Sequence, residues 1–244
     1  METNIFTCSL SDRMKLYEGS FGHTIDHSMP IIVRVDGKNF SRITKRLGVI
    51  RPFDERLSFC MKYAMERVCD ETRAILVAET HSDEASFLLK GFERDESQPY
   101  FGGKVQKISS VIASMFSVWF NLQAIQEFLP REPAYFDGRT FSLPTGIEAT
   151  NYFLSRSRDC FRNSINDLAR SQFSHKTLQG KNTDEKINMI QSDSLTLAMT
   201  NHDRMYGSFI VRDEWIDKTD REKPTFASLG EMLQLIENNE ESVL

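Results

Sequence analysis

Short apolar runs and longer stripes of helical spacing alternate along the first 145 residues. The run IIVRV, Ile31 to Val35, is continuous and β-branched, and Asp36-Gly37 closes it as a turn would. From about Phe53 to Cys69 the residues Leu57, Cys60, Met61, Ala64 and Val68 recur on one helical face. Pro52 stands at that helix's entrance, where a missing N–H costs nothing. Two β-prone runs, Ala74 to Glu79 and Ala85 to Lys90, flank the polar break Thr80-His81-Ser82-Asp83 and predict a hairpin. A second helix is expected from about Lys104 to Leu122, with Val105, Ile108, Ile112, Met115, Phe116 and Trp119 inward and Gly102-Gly103 as a flexible entry. The strand Arg139 to Leu143 follows and stops at Pro144.

The order β-α-β-β-α-β is that of the ferredoxin-like split motif, which makes the chain α+β. Beyond Thr145 the pattern is mainly helical, near Asn151–Arg170 and Asp184–Gln191, with a late strand pair around Gly207–Val211. The expected organisation is a catalytic region over 1–145 and a helical extension over 146–244, integrated as one unit. The tail, with Glu237, Asn238, Asn239, Glu240 and Glu241, is expected to fray.

This topology carries a chemical expectation. The first and third strands are antiparallel neighbours, so the third begins where the first ends. Asp36 closes one, and Asp83 and Glu84 open the other. Carboxylates that converge in this way repel one another unless a cation lies between them. Oxygen ligands suit Mg2+, which also binds substrate phosphates, and two such ions serve phosphoryl or nucleotidyl transfer. Successive strand residues point to opposite faces, so Asp83 is assigned to the metal and Glu84 to support. Taken singly, Asp-Gly and Ser-Asp-Glu are ordinary turn chemistry; their convergence favours a site. Gly37 lets backbone approach a metal or phosphate, and Lys38, Asn39, Phe40 and Ser41 follow it as an anion-binding nest. Arg51, Ser82, Lys104 and Lys107 are further candidates for phosphate contact, the last two one helical turn apart at a helix start.

Composition narrows the setting. The 244 residues are 40% hydrophobic and 27% charged, as in a globular protein, and no apolar run approaches membrane-spanning length. The N-terminal residues lack the apolar stretch of a secretory signal, so a cytoplasmic location is expected. Cys8, Cys60, Cys69 and Cys160 have no metal-ligand spacing and read as reduced thiols. His23 and His27 have i, i+4 spacing but no nearby third ligand, and read as a loop. The net charge of −5 argues against indiscriminate nucleic-acid coating. Basic residues nevertheless cluster at Arg34, Lys38, Arg42, Lys45, Arg46 and Arg51, and again from Arg156 to Lys186, while the residues from Asp213 onward are acidic. Local charge therefore permits an RNA partner.

Five segments carry a family resemblance: VRVDGKNFSRI (Val33 to Ile43), ETHSDEASFLL (Glu79 to Leu89), FGGKVQKISSVIASMFSVWFN (Phe101 to Asn121), AYFDGRTFSLP (Ala134 to Pro144) and RDCFRNSINDLARSQFSHKTLQGKNT (Arg158 to Thr183). Together, and in this order, they resemble the tRNA(His) guanylyltransferases and their relatives, the 3′-to-5′ polymerases. The resemblance implies a polymerase-type palm in which the 3′-hydroxyl of an incoming nucleotide attacks an activated 5′ end of tRNA. It implies that Asp36, the Gly37 carbonyl and Asp83 hold two Mg2+ ions with help from Glu84. It implies that Arg51, Ser82, Lys104 and Lys107 bind the triphosphate of GTP or ATP. Contacts to tRNA are implied for Arg162, Asn163, His175, Lys176, Lys181 and Lys186, and a homotetramer for the assembly. Phe161-Arg162-Asn163-Ser164 stands where the eukaryotic enzymes carry a His-Ile-Asn-Asn motif. That form is similar to the bacterial and archaeal relatives, which implies templated repair of 5′-truncated tRNA, with G addition to tRNA(His) as a side activity. Two other readings stay open at this stage. One is a palm-type nucleotidyl cyclase, against which the long helical extension speaks. The other is a non-catalytic tRNA-binding module, against which the intact carboxylates speak.

Overall fold

The computed structural model describes residues 9–20, 22–26, 28–89, 99–129, 132–199, 201–211 and 214–215. Cys8, His27 and the acidic tail lie outside these residues.

Helix α1 (Leu10–Gly19) comes first, capped by Ser9, whose hydroxyl accepts from the Asp12 N–H at 3.1 Å. Strand β1 (Ile31–Gly37) runs into helix α2 (Phe40–Leu47), then α3 (Glu55–Glu71), β2 (Ile75–His81), β3 (Glu84–Leu89), α4 (Val105–Phe128) and β4 (Phe136–Ser142). Neither α1 nor α2 is expected from apolar spacing. α1 buries no side chain, and α2 is only eight residues long, so its short stripe of Phe40, Ile43 and Leu47 follows a turn signal too closely to stand out as a helix. Helix α3 starts two residues later than the expected Phe53, because Asp54 caps it by accepting from the Arg56 N–H at 3.0 Å. Pro52 thus lies ahead of the cap rather than in the first turn, after a cis peptide bond with Arg51. Strand β4 begins three residues earlier than expected. Asp137 and Gly138 belong to it, and a Cβ on Gly138 would meet the Ser109 carbonyl at 2.6 Å.

The sheet has the order β4-β1-β3-β2-β5-β6, and its first four strands give the expected ferredoxin-like arrangement. All its pairings are antiparallel. Both faces are covered, which is why β1 reads as a continuous apolar run. Val33, Val35, Ala85 and Phe87 pack with Met61 and Met65 of α3 and with Ile112 and Phe116 of α4. On the opposite face Ile32, Val77 and Leu88 meet Phe153 of helix α5 (Gly146–Gln172).

Helix α4 is long and apolar enough to span a bilayer by length and composition, contrary to the sequence expectation. The reason is that it carries two apolar stripes. Ile108, Ile112, Phe116 and Phe120 are fully buried, while Val118, Leu122 and Ile125 are about half exposed. The chain continues through α6 (His175–Leu178), α7 (Thr183–Met189), α8 (Ser192–Met199) and α9 (His202–Tyr206), then β5 (Ser208–Val211) and β6 (Glu214–Trp215). These helices pack on the end of α5 in a separate cluster, in which Leu178, Ala198 and Met205 join Ile165 and Leu168. Strand β5 returns to pair with β2. Cys60, Cys69 and Cys160 are buried and in no disulfide, and burial pushes the Cys60 thiol up to about 12.

Candidate active site

The site forms where β1 ends beside the β2–β3 turn. Asp36 lies directly opposite Glu84 in the β1–β3 register, and the Gly37 N–H donates to the Asp83 carbonyl at 2.9 Å. Ser82 and Asp83 form the two-residue connection between the strands, with Ser82 left-handed at φ 52°. The Ser82 hydroxyl donates to Asp83 Oδ1 at 3.0 Å. Burial holds the Asp83 carboxyl above the usual carboxylate range; the Ser82 hydrogen bond opposes this shift and the Asp36 charge adds to it. Asp83 is thus a desolvated carboxylate beside a second carboxylate, with the Gly37 backbone alongside. This set of hard oxygen donors suits a divalent cation such as Mg2+.

Gly37 is required by packing. A Cβ there would stand 2.4 Å from Cδ2 and 2.8 Å from Cγ of Phe40, whose ring is buried beneath the loop. Gly37→Ala is therefore expected to displace Asp36 from Asp83. Metal-dependent nucleotide binding should weaken by about tenfold or more, a shift of about 1.4 kcal/mol. Calorimetric titration with GTP and Mg2+ checks this.

Beyond the turn, a cleft of about 310 Å³ runs between α2, the start of α3, the β2–β3 turn and α5. Phe40, Ser41, Arg51, Ser82, Asp83 and Asn163 line it together, with Phe53 and Leu57 as apolar wall. Lys38 and Asn39 are exposed just ahead of α2. The Lys38 N–H already donates to the Tyr135 carbonyl at 2.8 Å, so the expected nest loses that donor. Asn39 is left-handed, at φ 52°, and its side chain makes no cap hydrogen bond. Lys104 and Lys107 do not line this cleft. Lys104 precedes α4 and bridges to Thr24, and Lys107 Nζ sits 4.6 Å from the centre of the Phe101 ring. Arg162 is exposed on α5 and donates to Asp159. Lys186 donates to Asn166 at 2.9 Å from α7, while His175 and Lys176 are exposed on α6 and Lys181 follows it.

Sequence reasoning missed the polar floor beneath the turn. Glu79, His81 and Glu84 are buried, and one donor atom from each lies within 4.8 Å of the others, so this group could hold a metal ion. Its charges are already balanced: the imidazole lies between the two carboxylates, and Arg34 and Arg156 both donate to Glu84. Burial alone would lower the His81 pKa, yet the Glu79 carboxylate raises it overall, with help from Glu84. One sequence signal was available for part of this floor. Arg34 and Asp36 stand two apart in β1, and Glu79 and His81 two apart in β2, so each pair shares a strand face.

The model of the tRNAHis guanylyltransferase family matches residues 11–144, more than half of the chain. The chain belongs to this family. By that membership it is a nucleotidyltransferase. Its fold is also similar to a bacterial tRNA(HIS) guanylyltransferase-like protein in complex with ATP, with a TM-score of 0.83 and 30% identity, covering 93% of this chain and 99% of that one. A second such bacterial structure, in complex with GTP, has a TM-score of 0.74 and 28% identity over the same shares. The probable tRNA(His) guanylyltransferase of Dictyostelium discoideum is 33% identical over 138 residues, which are 55% of this chain and 52% of that protein. The alignment thus spans about half the length of that relative.

Proposed function

We propose that this nucleotidyltransferase adds nucleotides to the 5′ end of tRNA, chiefly as templated repair of 5′-truncated tRNA, with G addition to tRNA(His) as a side activity. The observation that carries this reading is the meeting of Asp36 and Asp83 beside a cleft that also presents Ser41, Arg51 and Ser82. Asp36, the Gly37 carbonyl and Asp83 would hold two Mg2+ ions, which when bound activate the attacking hydroxyl and stabilise the leaving oxygen. The N–H groups at the start of α2, with Arg51 and Ser82, orient the triphosphate of GTP or ATP. Lys104 and Lys107 serve a nucleotide that approaches from the α4 side. The 3′-hydroxyl of the incoming nucleotide forms the new phosphodiester, and the phosphate leaving group departs from the activated 5′ end. Asn163, on the cleft wall, and Arg162 lie at the position that distinguishes the repair type. With His175, Lys176, Lys181 and Lys186 they contact tRNA.

In this reading residues 1–145 supply catalysis, and 146–244 supply RNA contacts and assembly in the cytoplasm. A further self-association surface lies in the first region: the exposed Val118, Leu122 and Ile125 on α4, continued by Leu129 just past it, support a homotetramer. Light scattering of the purified chain is expected to give the tetramer mass.

A 5′-extension assay with Mg2+ and all four nucleotides tests the function. Full-length tRNA(His) is compared with a tRNA lacking its first nucleotide, each as monophosphate and triphosphate. Restoration of the base dictated by the opposite strand is the expected result. Addition of G to full-length tRNA(His) alone would replace repair by the histidine-specific activity. A cyclic or dinucleotide product from GTP, with no RNA extended, would overturn the proposal.

A further inference from the structure

Charged side chains beneath the turn join end to end into a path from the surface of α5 to the end of β1. Arg162 donates to Asp159 Oδ1, and Arg156 donates to Asp159 Oδ2. The other arm of Arg156 donates to Glu84 Oε1 at 3.1 Å, while Arg34 donates to Glu84 Oε2. The same Arg34 nitrogen reaches Asp36 Oδ2 at 3.3 Å. Signs alternate along the path, and each interior carboxylate is shared between two guanidinium groups. Strengthening one link therefore weakens the next. The Arg162 side chain is 62% exposed, whereas Arg156 and Glu84 are 16% and 10% exposed, so solvent screens the outer end and not the middle. His81 also faces Glu84 Oε1, at 3.2 Å, and Arg139 approaches Asp36 at 4.0 Å from β4; neither links to α5.

We propose that Arg156 and Asp159 are positioning residues that set how strongly Arg34 competes with a metal ion for Asp36, and that an RNA phosphate bound by Arg162 shifts this competition toward the metal. The inference rests on the reading of Asp36 as a metal ligand. When a phosphate takes Arg162, the Asp159 charge falls on Arg156 alone and draws it from Glu84. Glu84 then holds Arg34 more firmly, and Arg34 leaves Asp36. Nucleotide addition thereby gains its metal when RNA is in place.

The test is Mn2+ affinity, read by electron paramagnetic resonance on the full chain with GTP. It is measured with and without a 5′-truncated acceptor hairpin, whose own Mn2+ binding is subtracted. The hairpin is expected to tighten Mn2+ binding about threefold or more in the unaltered chain. Asp159→Asn frees Arg156 to occupy Glu84, so Arg34 turns to Asp36 and Mn2+ binding weakens by a similar factor. Arg162→Ala has the opposite effect: it tightens Mn2+ binding without RNA and abolishes the response to RNA. Asp159→Glu restores the response. A residue that merely held the fold would not give opposite signs. Shifts in the same direction, or none, overturn the proposal; the exposed Arg162 keeps the test open should Asp159→Asn fold poorly. Loss of Mn2+ binding in Asp36→Ala leaves the metal reading standing in either case. Binding indifferent to Asp36→Ala overturns both.

Discussion

Asp83→Asn is expected to slow nucleotide addition by on the order of 10²–10³-fold while the protein stays folded. The amide keeps the size of the side chain and its contact with the Ser82 hydroxyl, but it removes the charge that a cation between Asp83 and Asp36 requires. The stability effect has a definite sign. Burial raises the Asp83 pKa, so the folded chain binds this proton more tightly than the unfolded chain does. The stability from this group is fully present below the unfolded-state pKa and is lost as pH rises through the folded-state value. At neutral pH, without metal, the charged carboxylate therefore destabilises the fold, and the amide relieves that cost. Single-turnover extension of a 5′-truncated tRNA measures the first effect. Thermal unfolding with and without Mg2+ and GTP measures the second: the variant melts at or above the parent without metal and loses the Mg2+-dependent rise. A variant that retained parental turnover would remove Asp83 from the metal site.

Phe116→Ala is expected to cost about 3–5 kcal/mol of folding stability, the range for a large side chain lost from a close-packed interior. Phe116 is fully buried, with ring centres 4.9 Å from Phe136 and 6.3 Å from Phe87, both edge-on. Phe136 in turn meets Phe120 at 5.1 Å and Phe40 at 5.6 Å. The cluster ties α4, β4 and β3 together and ends under the Gly37 loop, so a cavity here loosens the seat of Phe40 as well. Urea denaturation followed by circular dichroism gives the stability loss, and the GTP affinity of the still-folded fraction gives the effect on the loop. A loss below about 1 kcal/mol would mean that the neighbouring rings collapse into the space.

The central order of elements and the meeting of Asp36 with the Asp83-Glu84 pair were legible in the chain itself. Both follow from local rules: β1 is apolar throughout because both its faces are covered, α3 and α4 carry helical stripes, and the ferredoxin-like order leaves the first and third strands as antiparallel neighbours. Local rules also missed α1, which buries no side chain to set a period, and α2, whose stripe of Phe40, Ile43 and Leu47 spans only eight residues. The start of β4 was hidden because Asp137 and Gly138 imitate a turn, although the β1 register places them in an edge strand.

Only tertiary structure decided how the site is supported. Glu84 looks from sequence like a partner of Asp83, yet it lies among Arg34, Arg156 and His81. Arg156 and Asp159 come from a helix far along the chain, and no period or motif spacing relates them to β3. The cleft likewise needs Asn163 of α5 beside Arg51 and Ser82. A strand's own alternation fixes which face a side chain takes; which charge it meets there depends on how a distant helix packs across the sheet.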